Sequence, residues 1–435
     1  MENKQPKLNI DTWIDNQKDN IISDLKELIS VRSVEDLSAA KEGAPFGPKV
    51  KESLSVALEI GDKLGLKTRD IDGYCGIIEA GEGEDLMGIL CHVDIVPEGT
   101  GWTEDPFAAN IVNGNIYGRG TLDDKGPAVA AIYALKAIIE ADIKLKKRVR
   151  IILGCNEETN MKCLKYYKSH EEIPTFSISP DANFPVTNSE KTILNATFEK
   201  KYNSKIEMHA GEAPNIIAGY AKAAVDGKII EAYGTQAHAS TPWEGESAIL
   251  KLFTKLSEMN LDSEDEKVIS RLHECLKEEC YGESIGLDKE DNSGRLTLNV
   301  GVVDWNNEGY KITFDLRCPI SMKESEVKEK LESIFKPIGG QLTSWNFKPG
   351  FSIKDDDPMV RKLLDVYIAR TGDKDAKPLH IGGGTYAREL PNAVSFGPEG
   401  YMCTSSCHVA DEHIGVDELL FNVKMIADAI ISLCS

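Results

Sequence analysis

Five places in this chain carry residue types that can hold metal ions and move protons. In Cys91-His92-Val93-Asp94, a histidine and an acid two apart project to the same side where the apolar run Leu86–Leu90 gives way to a loop. Asp94 can then hold the His92 imidazole in one tautomer while the other ring nitrogen binds a metal. The stretch from Gly118 to Pro127 sets Asp123 and Asp124 before a helix with glycines on both sides. One of these acids suits a helix cap, and a carboxylate held in so tight a turn could bridge two cations. Glu157-Glu158 follows the strand-like Val149–Cys155, at the edge where open α/β sheets place their ligands. One of that pair can coordinate a metal and the other can take a proton from bound water. Asp181 ends a further strand, and His408 lies in a loop before the last helix.

His92, Asp123, Glu158, Asp181 and His408 are one ligand too many for a tetrahedral ion. A pair of ions about 3.5–4 Å apart that shares one carboxylate uses all five, with three protein ligands on each and a water between them. Carboxylates mixed with imidazoles suit zinc, manganese or cobalt. The other acidic pairs, Glu171-Glu172 and Glu278-Glu279, read as solvated helix faces in so acidic a chain.

The elements that must position these residues follow from hydrophobic periodicity. Trp13 to Val31 and Lys49 to Leu64 read as helices. From Thr68 strands and helices alternate: strands at Cys75–Ala80, Asp85–Cys91, Asn110–Tyr117, Arg148–Cys155 and Thr175–Ser179, helices at Pro127–Ala141 and Met161–His170. The order implies an α/β sheet covered by helices. Near Pro185–Lys191 the character changes. Residues 193–350 combine long strands (Lys228–Gly234, Arg295–Asp304, Tyr310–Cys318) with amphipathic helices (Ser247–Met259, Glu264–Glu279, Glu324–Phe335), which describes a separate α+β domain. The α/β pattern resumes with a helix from Pro358 to Ala369, a strand at Ala393–Phe396 and a helix from Val416 to Cys434, so the second domain is expected to be inserted into the first.

Composition sets the class. A chain of 435 residues exceeds one ordinary core. With 50 Lys and Arg against 71 Asp and Glu, the net charge of −21 argues against nucleic acid and anionic membrane surfaces as partners. No apolar run approaches the roughly 20 residues that span a bilayer. The opening Met1–Lys7 is polar, without an apolar signal core. Ten cysteines without Cys-x-x-Cys spacing read as free thiols of a reducing compartment, so a cytoplasmic protein is expected.

The chain resembles the zinc-dependent exopeptidase family that includes peptidase V, carnosinases, aminoacylase-like enzymes and succinyl-diaminopimelate desuccinylase. The residues that carry the resemblance are His92-Val-Asp94-Ile-Val-Pro97, Trp102-Thr-Glu-Asp105-Pro106-Phe107, Tyr117 to Pro127, Asn156-Glu157-Glu158, Pro180-Asp181-Ala-Asn-Phe-Pro185 and His408-Val-Ala-Asp411-Glu412. Within the family it is most similar to the bacterial peptidase V-type dipeptidases, through Pro180–Pro185, the long insertion and Ile381 to Arg388. The resemblance implies a phosphorylase/hydrolase-like α/β catalytic domain, its mixed sheet carrying helices on both faces, at residues 1–187 and 353–435, and an α+β lid at 188–352. It implies that His92 and Asp181 bind one metal, Glu158 and His408 the other, and that Asp123 bridges them, with a cis Asp123–Asp124 peptide. Asp94 would orient His92, and Glu157 would be the general base. On the lid, His238 in Gln236-Ala237-His238-Ala239-Ser240 would stabilise the oxyanion. Asn215 and Arg317 would hold the substrate, Arg317 by a bidentate contact with its C-terminal carboxylate, and Gly383 and Arg388 would line the same pocket.

The implied activity is hydrolysis of dipeptides with a free C-terminal carboxylate, by two divalent ions, zinc first, with a lid that closes over the substrate. The alternative in the same chemistry is an N-acyl-amino-acid deacylase. A metal- or peptide-binding sensor and a one-ion structural site are weaker readings, since neither needs Glu157 beside five ligands. The lid is shorter than in full-length peptidase V, and monomer and homodimer both remain open. Asn156 stands where an aspartate is frequent, and His413, five residues past His408, is the competing ligand.

Overall fold

The computed structural model describes residues 9–402 and 406–435; the polar opening Met1–Lys7 lies outside them. The chain divides into two compact units. The first takes the residues up to Asn188, Ile353–Leu379 and Thr385–Ser435, and the second takes Ser189–Ser352 and His380–Gly384.

The first unit is built on a mixed sheet with strands in the order Lys67–Ile71, Cys75–Ala80, Arg148–Gly154, Leu86–His92, Phe176–Ser179 and Ala393–Ser395. The last four are parallel, and the first two are antiparallel additions at one side. Every residue of Leu86–His92 is buried, as a strand flanked by two parallel neighbours under covered faces requires. Helices lie on both faces. On one, Gly76 meets Leu54 and Leu58 of the helix Pro48–Lys63, and Gly61 of that helix meets Ile78. Alternate residues of a strand face opposite ways. On the other face Arg150, paired across the sheet with Glu79, donates to the Tyr167 hydroxyl of the helix Lys162–His170 at 2.9 Å. The helix Lys125–Glu140 packs on the Leu86–His92 strand and against the closing helix Val416–Cys434. Burial on several sides explains why it is apolar nearly all round.

Three local expectations need correction. Asn110–Tyr117 is not one strand but a hairpin, Asn110–Val112 and Asn115–Tyr117, turned at Asn113-Gly114 with φ of 51° and 83°. Asn-Gly accepts the left-handed conformations that such a turn needs. The first helical segment is two helices, Ile10–Asn16 and Lys18–Ile29. Neither acidic pair is a solvated helix face: Glu171 and Glu172 lie past their helix, each gripped by an arginine, Arg69 and Arg148 respectively, and Glu278 and Glu279 lie past the helix Ser263–Leu276, Glu279 accepting from the N–H and hydroxyl of Ser284.

The second unit is a seven-stranded antiparallel sheet in the order Lys228–Tyr233, Tyr220–Val225, Ile206–Ala210, Thr297–Asn306, Gly309–Cys318, Thr192–Lys201 and Gln341–Lys348. The helices Ala248–Ser257, Ser263–Leu276 and Glu324–Phe335 pack against it and each other. Ile206–Ala210 alternates buried and exposed residues as a one-sided antiparallel strand does. Phe198 stacks on Phe335 with ring centroids 4.2 Å apart inside this core. Among the described residues no helix is long and apolar enough to cross a membrane.

Candidate metal centre

Three parallel strands end side by side and deliver the acids from one edge of the sheet. Leu86–His92 ends in His92, Arg148–Gly154 runs on to Glu157 and Glu158, and Phe176–Ser179 leads to Asp181. Asp123 comes from the turn before the helix Lys125–Glu140, and His408 from the loop ahead of the strand His413–Gly415.

These residues form two triads that share one member. His92 Nε2 lies 2.8 Å from Asp123 Oδ1 and 4.0 Å from Asp181 Oδ1. His408 Nε2 lies 2.9 Å from Asp123 Oδ2 and 3.2 Å from Glu158 Oε2. Within each triad, His92–Asp123–Asp181 and Asp123–Glu158–His408, the ligand atoms all fall within 4.8 Å of one another. Asp123 thus turns one oxygen to each triad. The donor set fits a pair of divalent cations on a further ground: Glu157 Oε1 and Glu158 Oε1 are buried without hydrogen-bond partners. A buried carboxylate oxygen left so must be neutralised, and among these imidazoles and acids a cation can do it as well as a proton.

The electrostatics carry the same signature. Burial opposes protonation of His92, but its contacts with Asp123 and Asp94 prevail and hold it well above the ordinary histidine range. His408 is raised likewise by Glu158 and Asp123, which outweigh the partial desolvation of its ring. Asp123 is held well below the usual carboxylate range, the two imidazoles outweighing the cost of burial. Burial raises Glu158 and Asp181, with Asp123 adding to both. Burial also pushes Glu157 up to about 8, the surrounding carboxylates outweighing the attraction of His92.

Asp94 acts differently from the simple histidine-acid pair. His92 Nδ1 lies 2.9 Å from the Asp94 main-chain carbonyl and 3.5 Å from its carboxylate. The nearer group fixes the tautomer, leaving Nε2 as the coordinating nitrogen. The Asp94 carboxylate instead accepts from the backbone N–H groups of Glu157 and Glu158, at 3.1 and 3.2 Å. Asp124 is no side-chain cap either: its Oδ2 accepts from His92 N at 2.9 Å. The Asp123–Asp124 peptide is cis. His413 stacks on Tyr117 with centroids 4.9 Å apart and belongs to neither triad.

Sequence reasoning assigned no role to Glu412, Asp411 and Arg119. Glu412 is fully buried. Its Oε1 accepts from the backbone N–H of Gly120, Leu122 and Asp123 at 2.9, 3.0 and 3.2 Å, and its Oε2 from Arg119 Nη1 at 2.5 Å. Asp411 accepts from the N–H and hydroxyl of Thr103. Both acids stand in the stretch that drew attention to His408, but a solvated acid and a buried clamp look alike until the chain is folded.

In the second unit the residues assigned to substrate gather at one place. Ile216–Ile217 pairs with Ala237–His238 as a short ribbon, and Ala239 N donates to the Asn215 carbonyl at 2.9 Å. Ser240 N donates to His238 Nδ1 at 3.2 Å, and the Ser240 hydroxyl lies 2.7 Å from the same atom. A backbone N–H can only donate, so in the neutral ring the proton sits on Nε2. Gly382 packs so closely on Ser240 that a Cβ there would come within 2.8 Å of the serine Cβ. Arg317 is buried, and one edge of its guanidinium is already engaged: Nε and Nη2 bind Asp315 at 2.7 and 3.0 Å, and Nη1 binds the Gly382 carbonyl at 2.9 Å. Gly383 lies beside that contact in the same segment, whereas Arg388, half-buried in the turn Tyr386–Glu389, belongs to the first unit.

The chain is similar to known peptidases. The profile of peptidase family M20/M25/M40 matches residues 88–432. A Bacillus subtilis (strain 168) protein named "Putative dipeptidase YtjP" is 35% identical over 465 residues, covering 98% of this chain and 100% of its own. A Staphylococcus haemolyticus (strain JCSC1435) protein with the same kind of name is 34% identical over 457 residues, covering 95% and 97%. The crystal structure of human carnosine dipeptidase 1 shares the fold at a TM-score of 0.61 and 16% identity, covering 98% of each chain.

Proposed function

This chain belongs to peptidase family M20/M25/M40, and from that premise we propose that it is a dipeptidase working with two divalent metal ions. The observation that carries the reading is the pair of triads sharing Asp123, with Glu157 beside them on the same strand edge. His92 and Asp181 would hold one ion and Glu158 and His408 the other, with Asp123 offering an oxygen to each. Zinc is the first choice, with manganese and cobalt suited to the same donors. Ions held there would supply Lewis acidity to the scissile carbonyl and to a water near neutral pH.

The chain's own residues do the rest. Glu157 takes the proton of the attacking water and returns it to the leaving amine; a carboxyl raised to about 8 by burial is matched to that exchange near neutrality. His238, with its proton on Nε2, donates to the oxyanion that develops on the substrate. Asn215, Gly383 and Arg388 are the residues assigned to the peptide. Arg317 attracts its free C-terminal carboxylate. A guanidinium has five N–H groups, and three are engaged by Asp315 and Gly382, so the carboxylate takes the two that remain. The nine described cysteines are all free, which favours a reducing cytoplasm.

The test is a panel of dipeptides, dipeptide amides, tetrapeptides and N-acyl amino acids with the metal-loaded protein. Free dipeptides should be turned over much faster than the rest. Equal rates on a dipeptide and its amide would remove carboxylate recognition, and preference for acylated amino acids would make the chain a deacylase.

A further inference from the structure

Four of the five proposed ligands differ from the fifth in how they are held. His92, Glu158 and Asp181 stand on or just beyond strands of the parallel sheet, and the Asp123–Asp124 turn opens the helix Lys125–Glu140. His408 is half-exposed on a loop that turns through left-handed backbone at His408 and Asp411, with φ of 64° and 60°. Something must fix that loop against Asp123, because a ligand displaced by even 1 Å loses its geometry.

We propose that Glu412 is a positioning residue that locks the His408 loop to the Asp123 turn and so assembles the Asp123–Glu158–His408 half of the metal centre; the inference rests on the two-ion reading above. Its carboxylate is fully buried and all its partners lie on the turn it holds: three successive-region N–H groups at Gly120, Leu122 and Asp123, and the Arg119 guanidinium. The main chain adds a further tie, Gly118 N to the Glu412 carbonyl at 2.8 Å. Arg119 in turn lies over the Trp102 ring, 5.4 Å from its centroid. Asp411 anchors the loop on its other side through Thr103. The other triad has its own supports, with His92 N on Asp124 and His92 Nδ1 on the Asp94 carbonyl. Loss of the clamp therefore strikes first the half that His408 completes, since Asp123 keeps its contact with the supported His92.

Glu412→Gln tests this at constant volume. The amide oxygen can still accept from the turn, but the NH2 group then faces Arg119 donor to donor. The probe is Mn2+ in equilibrium dialysis, since this hard ion prefers carboxylates and imidazoles to the protein's thiols. The wild type is expected to bind two ions. E412Q should keep the first at wild-type affinity and bind the second roughly 10–100-fold more weakly, the usual cost of losing a group that orients a ligand. His408→Ala should give the same one-ion pattern by removing the ligand itself. Asp265→Asn, which breaks a buried carboxylate clamp in the second unit, should bind two ions like the wild type. If E412Q does not fold, as judged by circular dichroism of the metal-free protein, Arg119→Lys carries the test with a smaller loss in the same direction. Two ions bound with wild-type affinity by the folded Glu412 or Arg119 variant would overturn the clamp alone. Fewer than two ions in the wild type would overturn the two-ion reading, and the clamp with it.

Discussion

Both units draw carboxylates out of water and use them differently. In the second unit Asp265 accepts from Tyr202 and Ser204 hydroxyls on one oxygen and from Lys205 N on the other. Asp315, equally buried, receives Arg317 on both oxygens and Asn195 on one. Each is satisfied by protein alone, and each ties strands and loops together. In the first unit Glu157 and Glu158 each leave a buried oxygen without a partner, while Asp123 is shared between two imidazoles. A fold that keeps unpaired buried acids is carrying a cost in stability, and such costs concentrate where charge has work to do. Glu412 is the informative intermediate: it sits in the catalytic unit but is satisfied as fully as Asp265, which marks it as support and not as chemistry.

The contrast can be broken most severely at Asp123. Asp123→Ala should abolish retention of both ions after gel filtration and reduce turnover to background, whereas Glu158→Ala should lose chiefly one ion. Selective loss of a single ion in the Asp123 variant would end the bridging role. Next in size, Glu157→Gln should lower kcat by roughly 10²–10⁴, the range for a general base, while metal content stays at two. Glutamine keeps the volume and the neutral state that this buried carboxyl already holds at pH 7 without metal, so the metal-free Tm should not fall. A lower Tm would place Glu157 among the structural acids.

The second unit should respond in the opposite sense. Arg317→Ala leaves Asp315 buried without its counter-ion and should cost about 3–5 kcal/mol of stability, read as a lower denaturation midpoint, with metal content unchanged. Asp265→Asn should cost less, about 1–3 kcal/mol for one buried acceptor left mispaired, and leave kcat intact. The smallest effect is a matter of protons. Without metal, His92 and His408 are held above their ordinary values by Asp123 and its neighbours, and Glu157 reaches about 8. At pH 7 these groups therefore carry protons that cations must displace. Metal loading should release protons, and apparent affinity should weaken as pH falls. Calorimetry in two buffers of different ionisation enthalpy would detect the release, and identical heats would contradict it.

Much of the centre was legible in the chain because its chemistry is local. The strand Leu86–His92 is apolar up to its final histidine since it is buried on both faces, and His92, Glu157-Glu158 and Asp181 each sit within four residues of a strand end. The alternation of strands and helices announced the mixed sheet, and the change near Pro185 announced a second unit. Where the reading failed, the local pattern was ambiguous: Asn110–Tyr117 looked like one strand because both arms of its hairpin are similar in character, and only the Asn113-Gly114 turn separates them.

Tertiary structure alone decided the rest. Which oxygen of Asp123 faces which imidazole depends on His408, nearly 300 residues away along the chain. Asp94 and Asp124 could each have been an orienting carboxylate or a cap; their partners, the backbone N–H groups at 157–158 and at His92, come from other strands and turns. Glu412 was one acid among many until folding set it against the 119–123 turn. Arg317 looked like a free fork for a substrate, and the fold gave one of its edges to Asp315. Residue types and spacing determine what chemistry a chain can do. The pairing of each buried charge is settled by contacts distant in sequence, because the energy of a buried carboxylate depends on the few donors within hydrogen-bonding distance and not on its neighbours along the chain.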